Sequence, residues 1–233
     1  MQVVILCGGK GLRLRPLSED VPKPLMRVGD RPILEHIMRY YADFGHSSFI
    51  LCLGYKGHKI KEYFRGTKEW DITFVNTGLE STKAQRLLMI RRYLINDTFL
   101  VSYGDDISNV DLKRLVTFHE SHAGLATLTS VNASSQFGII KIRDGKVAEF
   151  VEKPRLKEWI NGGFFVFNRK IFDCIKAHDD LESGVLQRIA RKGLLFAYKH
   201  RGFWACLNNY QDYVHLNEMW KNGNIAWRGK KLD

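Results

Sequence analysis

Three glycines, Gly8, Gly9 and Gly11, follow a short apolar run near the start of the chain. Arg13 comes two residues later, and Lys23 stands between Pro22 and Pro24. Glycines placed just after a buried strand let the backbone approach a ligand closely, and their free N–H groups can cradle phosphate. An arginine adds a fixed cation, and a lysine between prolines is a point charge on a pre-set, extended backbone. The chemistry these residues could do together is to hold a polyphosphate. Two familiar phosphate loops do not fit. The segment "GGKGLRL" (8–14) lacks the Gly-Lys-Ser/Thr ending of the Walker pattern, and Leu14 stands where the dinucleotide pattern needs its third glycine.

The elements that must position these groups alternate along the first half. "VVILC" (3–7) reads as a strand, and Asp30, Arg31 and Pro32 open a helix carrying Ile33, Leu34, Ile37, Met38, Tyr41 and Phe44 on one stripe. Strands are expected at 48–54, 71–75 and 98–106, with helices at 58–64, 82–95 and 110–122 between and after them. Strand and helix taking turns at this spacing predict a parallel sheet with helices on both faces, joined by right-handed connections. Ligands of such sheets bind at the carboxyl ends of the strands. Three of these strands end in glycines or carboxylates: Gly8 and Gly9, Gly54, and Asp105 with Asp106. The second half changes character. It holds a strand at 125–131, a hairpin over 137–154 turning at Asp144 and Gly145, a strand over 161–168, helices over 181–192 and 209–222, and a stretch "LLFAYKH" (194–200) between them. One mixed domain, 1–233, with a β-rich later part is the organisation expected.

With 233 residues, 45% of them hydrophobic, the chain can bury a sizeable core. No apolar run approaches the length of a membrane span, and "VVIL" runs straight into glycines rather than forming a signal peptide. Cys7, Cys52, Cys174 and Cys206 are scattered without metal-ligand spacing and suit a reducing, cytoplasmic compartment. The net charge of +11 fits a polyanionic partner, with basic runs at Arg91 and Arg92, 188–192 and 228–231. No arginine–aromatic ladder or nucleic-acid module accompanies them, so neither nucleic acid nor membrane is expected as a partner.

The arrangement "GGKGLRL" followed by "PKPLM" (22–26) resembles the signature of sugar-phosphate nucleotidyltransferases. The likeness continues through residues 31–64, "YGDD" (103–106), "FVEKP" (150–154), "INGGFFVF" (160–167) and residues 202–223. In order and spacing these resemble the glucose-1-phosphate cytidylyltransferase branch over nearly the whole chain. The resemblance implies a Rossmann-like α/β fold with a nucleotide-binding part (about 1–122) and a sugar-phosphate-binding part (about 123–233). It implies an enzyme that joins a nucleoside triphosphate, CTP in this branch, to a sugar 1-phosphate and releases pyrophosphate, with Mg2+ as cofactor and a homo-oligomeric assembly. Cys7, Gly8, Gly9, Gly11 and Gly104 would hold the nucleotide. Arg13 would meet its β- and γ-phosphates, and Lys23 would bridge the α-phosphate and the incoming phosphate. Asp105 would carry the magnesium ion, and Gln85 would read the base. Gly138, Glu152, Lys153, Asn161 and Gly162 would form the sugar-phosphate side, with Phe137 and Gly163 beside them.

Two positions depart from the family pattern. Leu12 replaces the loop's usual threonine and removes a hydroxyl. Asn208 stands where the second metal-binding aspartate falls, so an amide oxygen without charge takes that place. Asp106 stands where relatives commonly carry glycine. Three readings stay open at this level: the cytidylyl transfer, the same reaction with another base or phosphorylated acceptor, and a non-catalytic nucleotide-sugar binder.

Overall fold

The β-branched run at the start forms β1 (Gln2–Leu6), and every residue of it is buried. This computed structural model describes residues 1–227; the basic run 228–231 lies outside the described residues. After β1 come a two-residue ribbon, β2 (Arg27–Val28) with β3 (Arg31–Pro32), and then α1 (Ile33–Asp43), β4 (Ser48–Leu53), α2 (Gly57–Tyr63), β5 (Asp71–Asn76), α3 (Lys83–Ile90), β6 (Thr98–Tyr103), β7 (Asp106–Ser108) and α4 (Leu112–Glu120). The later part supplies β8 (Ala126–Val131), β9 (Ile139–Arg143), β10 (Lys146–Val151), β11 (Ile160–Asn168), α5 (Gln187–Arg191), β12 (Leu195–His200), β13 (Trp204–Cys206) and α6 (Tyr210–Lys221).

Seven strands make one sheet in the order β12–β8–β11–β6–β1–β4–β5. β1 is parallel to both β4 and β6, and β5 extends the parallel run. Side chains alternate across a strand, and this alternation sorts the core into two layers. Val3 and Ile5 pack with Ile33, Ile37 and Tyr41 of α1, Leu115 of α4 and Leu216 of α6. Val4 and Leu6 pack on the opposite face with Leu87 and Ile90 of α3 and Ile189 of α5. The protein is therefore a mostly parallel α/β sheet flanked by helices.

The structure departs from the expected elements in four places. The sheet is mixed rather than wholly parallel, because β8, β11 and β12 enter it and β11 runs antiparallel to both β6 and β8. The strand expected over 98–106 divides: β6 ends at Tyr103, and β7 leaves the sheet to pair with β13. The helix expected over 82–95 ends at Ile90 and tightens into a 3-10 turn, Arg91–Tyr93, before the chain extends at Leu94. Lys23 opens a 3-10 turn, Lys23–Leu25, instead of an extended segment. Pro24, with its fixed φ, suits a first turn, and both Pro24 and Leu25 are buried. The hairpin forms as expected, with Asp144 and Gly145 both at positive φ in its turn.

Phe165 joins the two parts of the sheet. It is fully buried and pairs with Val101 on one side and Leu128 on the other. Phe165→Ala is expected to cost about 3–5 kcal/mol, read from urea unfolding. Far-ultraviolet circular dichroism and tryptophan fluorescence should report the same midpoint in the wild type. Two separated transitions would mean that the parts unfold independently.

Candidate active site

Parallel strands deliver their carboxyl ends to one rim of the sheet. Because β11 runs the other way, its first residues arrive at that same rim. The topology alone therefore brings Cys7 to Gly11 after β1, Gly104 and Asp105 after β6, and Ile160 and Asn161 at the start of β11 around a single cleft of about 840 Å3. Arg13, Lys23 and Asn208 line it too. The groups expected to grip a polyphosphate are brought together.

The glycine turn is held from behind by Arg86, a residue that belongs to none of the motifs above. Arg86 lies on α3, is 4% exposed and lines the back of the cleft. Its guanidinium donates to the carbonyls of Gly8 (3.2 Å), Leu53 (3.3 Å) and Gly78 (2.9 Å) and to the Thr77 hydroxyl (2.6 Å). One planar donor thus ties the ends of β1, β4 and β5 together. A Cβ at Gly8 would overlap the Arg86 guanidinium, so a side chain there would push that donor off the carbonyls it holds. Among the described residues no carboxylate pairs with Arg86, and burial pulls its pKa down. A positive charge is therefore fixed beneath the turn where an anionic ligand would lie. The signal in the sequence is its spacing, four residues before the buried Ile90 on the same helix face.

Gly11 sits at φ +63, and Ser18 Oγ donates to its carbonyl at 2.9 Å. A Cβ on Gly11 would come 3.1 Å from that of Lys23, so the glycine turn and the Lys23 turn lie against each other. Arg13 is exposed on the cleft wall, and the unusual Leu12 beside it is 55% exposed. Gly104 packs tightly against the same turn: a Cβ there would meet Leu6 O at 3.2 Å and Cys7 Sγ at 3.3 Å. Cys7 itself is buried, its thiol raised well above the usual range by desolvation.

Opposite the turn, the Lys23 ammonium forms an ion pair with Asp105 Oδ2 and reaches Asn208 Oδ1 at 3.5 Å. The local fold fixes these partners. Leu207 N donates to Asp105 O at 2.9 Å, and the Asp212 carboxylate accepts from the backbone N–H groups of Asn208 (2.8 Å) and Asn209 (3.0 Å) at the start of α6. A cation thus already sits between an anionic oxygen and an amide oxygen. Hard oxygen donors of this kind fit a divalent ion that keeps several waters.

On the wall supplied by β11, Asn161 anchors a polar network. Its Oδ1 accepts from Gly163 N at 3.0 Å, and its Nδ2 donates to the Tyr103 hydroxyl at 3.2 Å. Tyr103 OH in turn donates to Glu182 at 2.5 Å, and Lys83 pairs with the same carboxylate. Gly162 lies just behind the lining, where its carbonyl accepts from Trp204 Nε1 at 2.8 Å.

Five expected residues are not brought to the lining, Gly162 just behind it and four others farther off. Gln85 is the third residue of α3 and closes a capping box: its Oε1 accepts from Thr82 N at 2.8 Å, and its Nε2 donates to Ala177 O at 2.9 Å. Both ends of the amide are engaged away from the cleft, where Thr82, Lys83 and Arg86 form the wall instead. The Thr-x-x-Gln spacing is the signal for this cap. Gly138, Glu152 and Lys153 lie on the β9–β10 hairpin, whose strand residues are exposed throughout.

Comparison with known proteins agrees with this geometry. A family model described as nucleotidyl transferase matches residues 2–222. A probable glucose-1-phosphate cytidylyltransferase of Bacillus subtilis (strain 168) is 39% identical, covering 98% of this chain and 99% of the relative. The glucose-1-phosphate cytidylyltransferase of Salmonella typhimurium is 37% identical over the same shares. Among solved structures, a putative glucose-1-phosphate thymidylyltransferase from Bacillus anthracis superposes with a TM-score of 0.75 at 22% identity, covering 99% of this chain and all of that one. HddC from Yersinia pseudotuberculosis complexed with GMP-PN gives 0.72 at 24% identity, covering 94% and 99%. These two superpositions show the fold.

Replacing Arg86 by methionine would strip donors from several buried carbonyls. It is expected to destabilise the protein by roughly 1–3 kcal/mol and to weaken nucleoside triphosphate binding, with Arg86→Lys intermediate. Denaturant melts and calorimetric titration read the two effects. Unchanged affinity in Arg86→Met would show that the turn holds its shape without the guanidinium.

Proposed function

The chain belongs to the nucleotidyl transferase family, and from that premise we propose that it transfers a cytidylyl group from CTP to glucose 1-phosphate. The convergence of Arg13, Lys23 and Asp105 on one cleft beside the glycine turn is the observation that carries this reading. The two relatives whose names state this reaction align over nearly the full chain.

The chemistry is an in-line displacement. A phosphate oxygen of the sugar 1-phosphate forms a bond to the α-phosphorus, the bond to the β-phosphate breaks, and pyrophosphate leaves. The protein positions the two anions and neutralises their charge. Backbone N–H groups at Gly8, Gly9 and Gly11 cradle the triphosphate, and Arg13 meets its outer phosphates as pyrophosphate departs. Lys23 stands between donor and acceptor, so its ammonium draws two phosphates together that would otherwise repel. A divalent ion, Mg2+ by its preference for oxygen, would be held by Asp105 and Asn208 and would add charge neutralisation at the phosphates. Gly104 closes the floor beneath the nucleotide. Asn161 faces the sugar, with Gly162 just behind it, while Glu152 and Lys153 stand outside the lining. Tyr103 and Glu182 hold Asn161 in orientation. The base wall is assigned to Thr82 and Lys83 rather than Gln85, whose amide is committed to the cap.

The hairpin also supports a homo-oligomer. Ile139, Ile142, Val147 and Phe150 are exposed on it, Ile142 and Phe150 each by 64%, and a two-stranded ribbon of this kind is marginal by itself in water. A second copy of the chain is the partner we infer for this surface. Among the described residues no helix is long and apolar enough to cross a membrane. The four free thiols suit the reducing cytoplasm we infer as its location.

Pyrophosphate release measured across a panel of triphosphates and sugar 1-phosphates tests the reaction, with CTP and glucose 1-phosphate expected to be fastest. Lys23→Ala and Asp105→Ala are each expected to lower turnover by roughly a hundredfold or more; near-wild-type rates would contradict the charge-neutralising roles of these two side chains. In light scattering the wild type should exceed the mass of one chain, and Ile142→Asp combined with Phe150→Asp should reduce it. A monomeric wild type would overturn the assembly.

A further inference from the structure

A second concavity lies on the outer edge of the sheet and shares no lining residue with the cleft. Helix α3 divides the two. Lys83 and Arg86 line the cleft, while Leu88 and Met89, farther along the same helix, line a groove of about 650 Å3. The floor of this groove is apolar, made by Val75 of the edge strand β5 together with Leu88 and Met89. Met89 is 45% exposed, although Leu87 and Ile90 beside it are fully buried. The rim is cationic. Arg91 and Arg92, a basic run that the cleft does not use, stand there with Arg169, and among the described residues no carboxylate lines the groove.

The rim is braced by specific contacts. Arg169 donates to the carbonyls of Leu94 (2.8 Å) and Arg91 (3.3 Å). Those bonds satisfy carbonyls that the end of a helix leaves open, and they fix the 3-10 turn carrying the two other arginines. The Arg91 guanidinium lies over the Phe172 ring, 5.5 Å from its centroid. That of Arg92 lies over the Tyr93 ring at 4.9 Å and donates to the Tyr93 hydroxyl at 2.8 Å. A ring face holds a guanidinium in place without cancelling its charge, and it leaves N–H groups at the edge of the fork free. The carboxylate that pairs with Arg91 is Asp173, 3.7 Å away and 69% exposed, where an ion pair is weak in water. Two adjacent forks on a braced turn suit phosphate oxygens. The thioether of Met89 and the side chain of Leu88 suit the face of an aromatic ring. A bare sugar phosphate would use the arginines alone, whereas a nucleotide uses both halves of the groove. Its volume lies within the roughly 300–1,000 Å3 typical of small-ligand pockets.

We propose that this groove binds a nucleoside diphosphate, with the base on Leu88 and Met89 and the phosphates on Arg91 and Arg92. The site does not depend on the transferase reading, because it is built from other residues.

The test is a titration of the full chain with ADP, followed through the methyl resonance of Met89 in protein carrying carbon-13 methyl methionine and assigned with Met89→Leu. In the wild type this resonance is expected to shift saturably. Arg91→Ala combined with Arg92→Ala removes both forks from an exposed turn and should weaken ADP binding at least about tenfold. Adenosine lacks the phosphates and pyrophosphate lacks the base, so each should bind at least about tenfold more weakly than ADP. Circular dichroism confirms that the double variant is folded. A Met89 resonance unmoved by ADP, a shift unchanged in the double variant, or adenosine or pyrophosphate binding as tightly as ADP overturns the proposal. None of these readouts uses pyrophosphate release from CTP, so this site and the transferase reading stand or fall separately.

Discussion

The contact between the Lys23 ammonium and the Asp105 carboxylate is the point on which the site turns. It joins two segments far apart in sequence, the turn after Pro22 and the end of β6, and it does so at the mouth of the cleft. Each partner satisfies the other in the absence of ligand, so neither charge is left unpaired in a partly buried place. A phosphate entering the cleft offers Lys23 a stronger anionic partner, and an entering cation offers the same to Asp105. In the proposed transfer the pair would hold the two charges the reaction needs until ligands draw them in opposite directions. Arg13 across the cleft and the Arg86 charge beneath the glycine turn complete a positive field around the phosphate path.

Sheet topology explains why these groups meet. Parallel strands place β1, β4 and β6 with their carboxyl ends together, and the antiparallel strand β11 brings Ile160 and Asn161 to the same rim. An all-parallel sheet would have sent Asn161 to the opposite edge. The pairing of β7 with β13 then carries Cys206 and Asn208 back to the cleft from the last part of the chain. The glycine turn and Asn161 are consequently fixed on one rim of a single sheet, the arrangement that the proposed positioning catalysis requires.

Much of this is legible in the sequence where local rules decide. β-branched runs mark the strands, and the apolar stripe of α1 follows its helical period. The Asp144–Gly145 turn is readable because two consecutive positive φ values favour those residue types. The residues that meet at the cleft are readable from charge, glycine and proline spacing. What escapes depends on contacts between distant residues. The direction of β11 is set by its neighbours β6 and β8, not by its composition. Lys23 lies in a turn because Leu25 and Pro24 find a core to enter, which the flanking prolines alone do not reveal. Gln85 and Arg86 are adjacent polar residues on one helix, and their types alone do not say which of them serves the cleft. The Thr82 cap occupies the first, and the second is buried beneath Gly8 with its guanidinium on the Gly8 carbonyl.

The central claim is that one triphosphate spans the glycine turn and Lys23 while Asp105 is freed to face it. A crystal structure of the chain with a non-hydrolysable CTP analogue and glucose 1-phosphate tests this most directly. Phosphate oxygens are expected in hydrogen-bond contact with the backbone N–H groups between Gly8 and Arg13, and the Lys23 ammonium is expected to have moved from Asp105 onto the α-phosphate. An analogue bound outside this cleft, or bound in it with Lys23 still on Asp105 and no phosphate at the glycine turn, would contradict the claim.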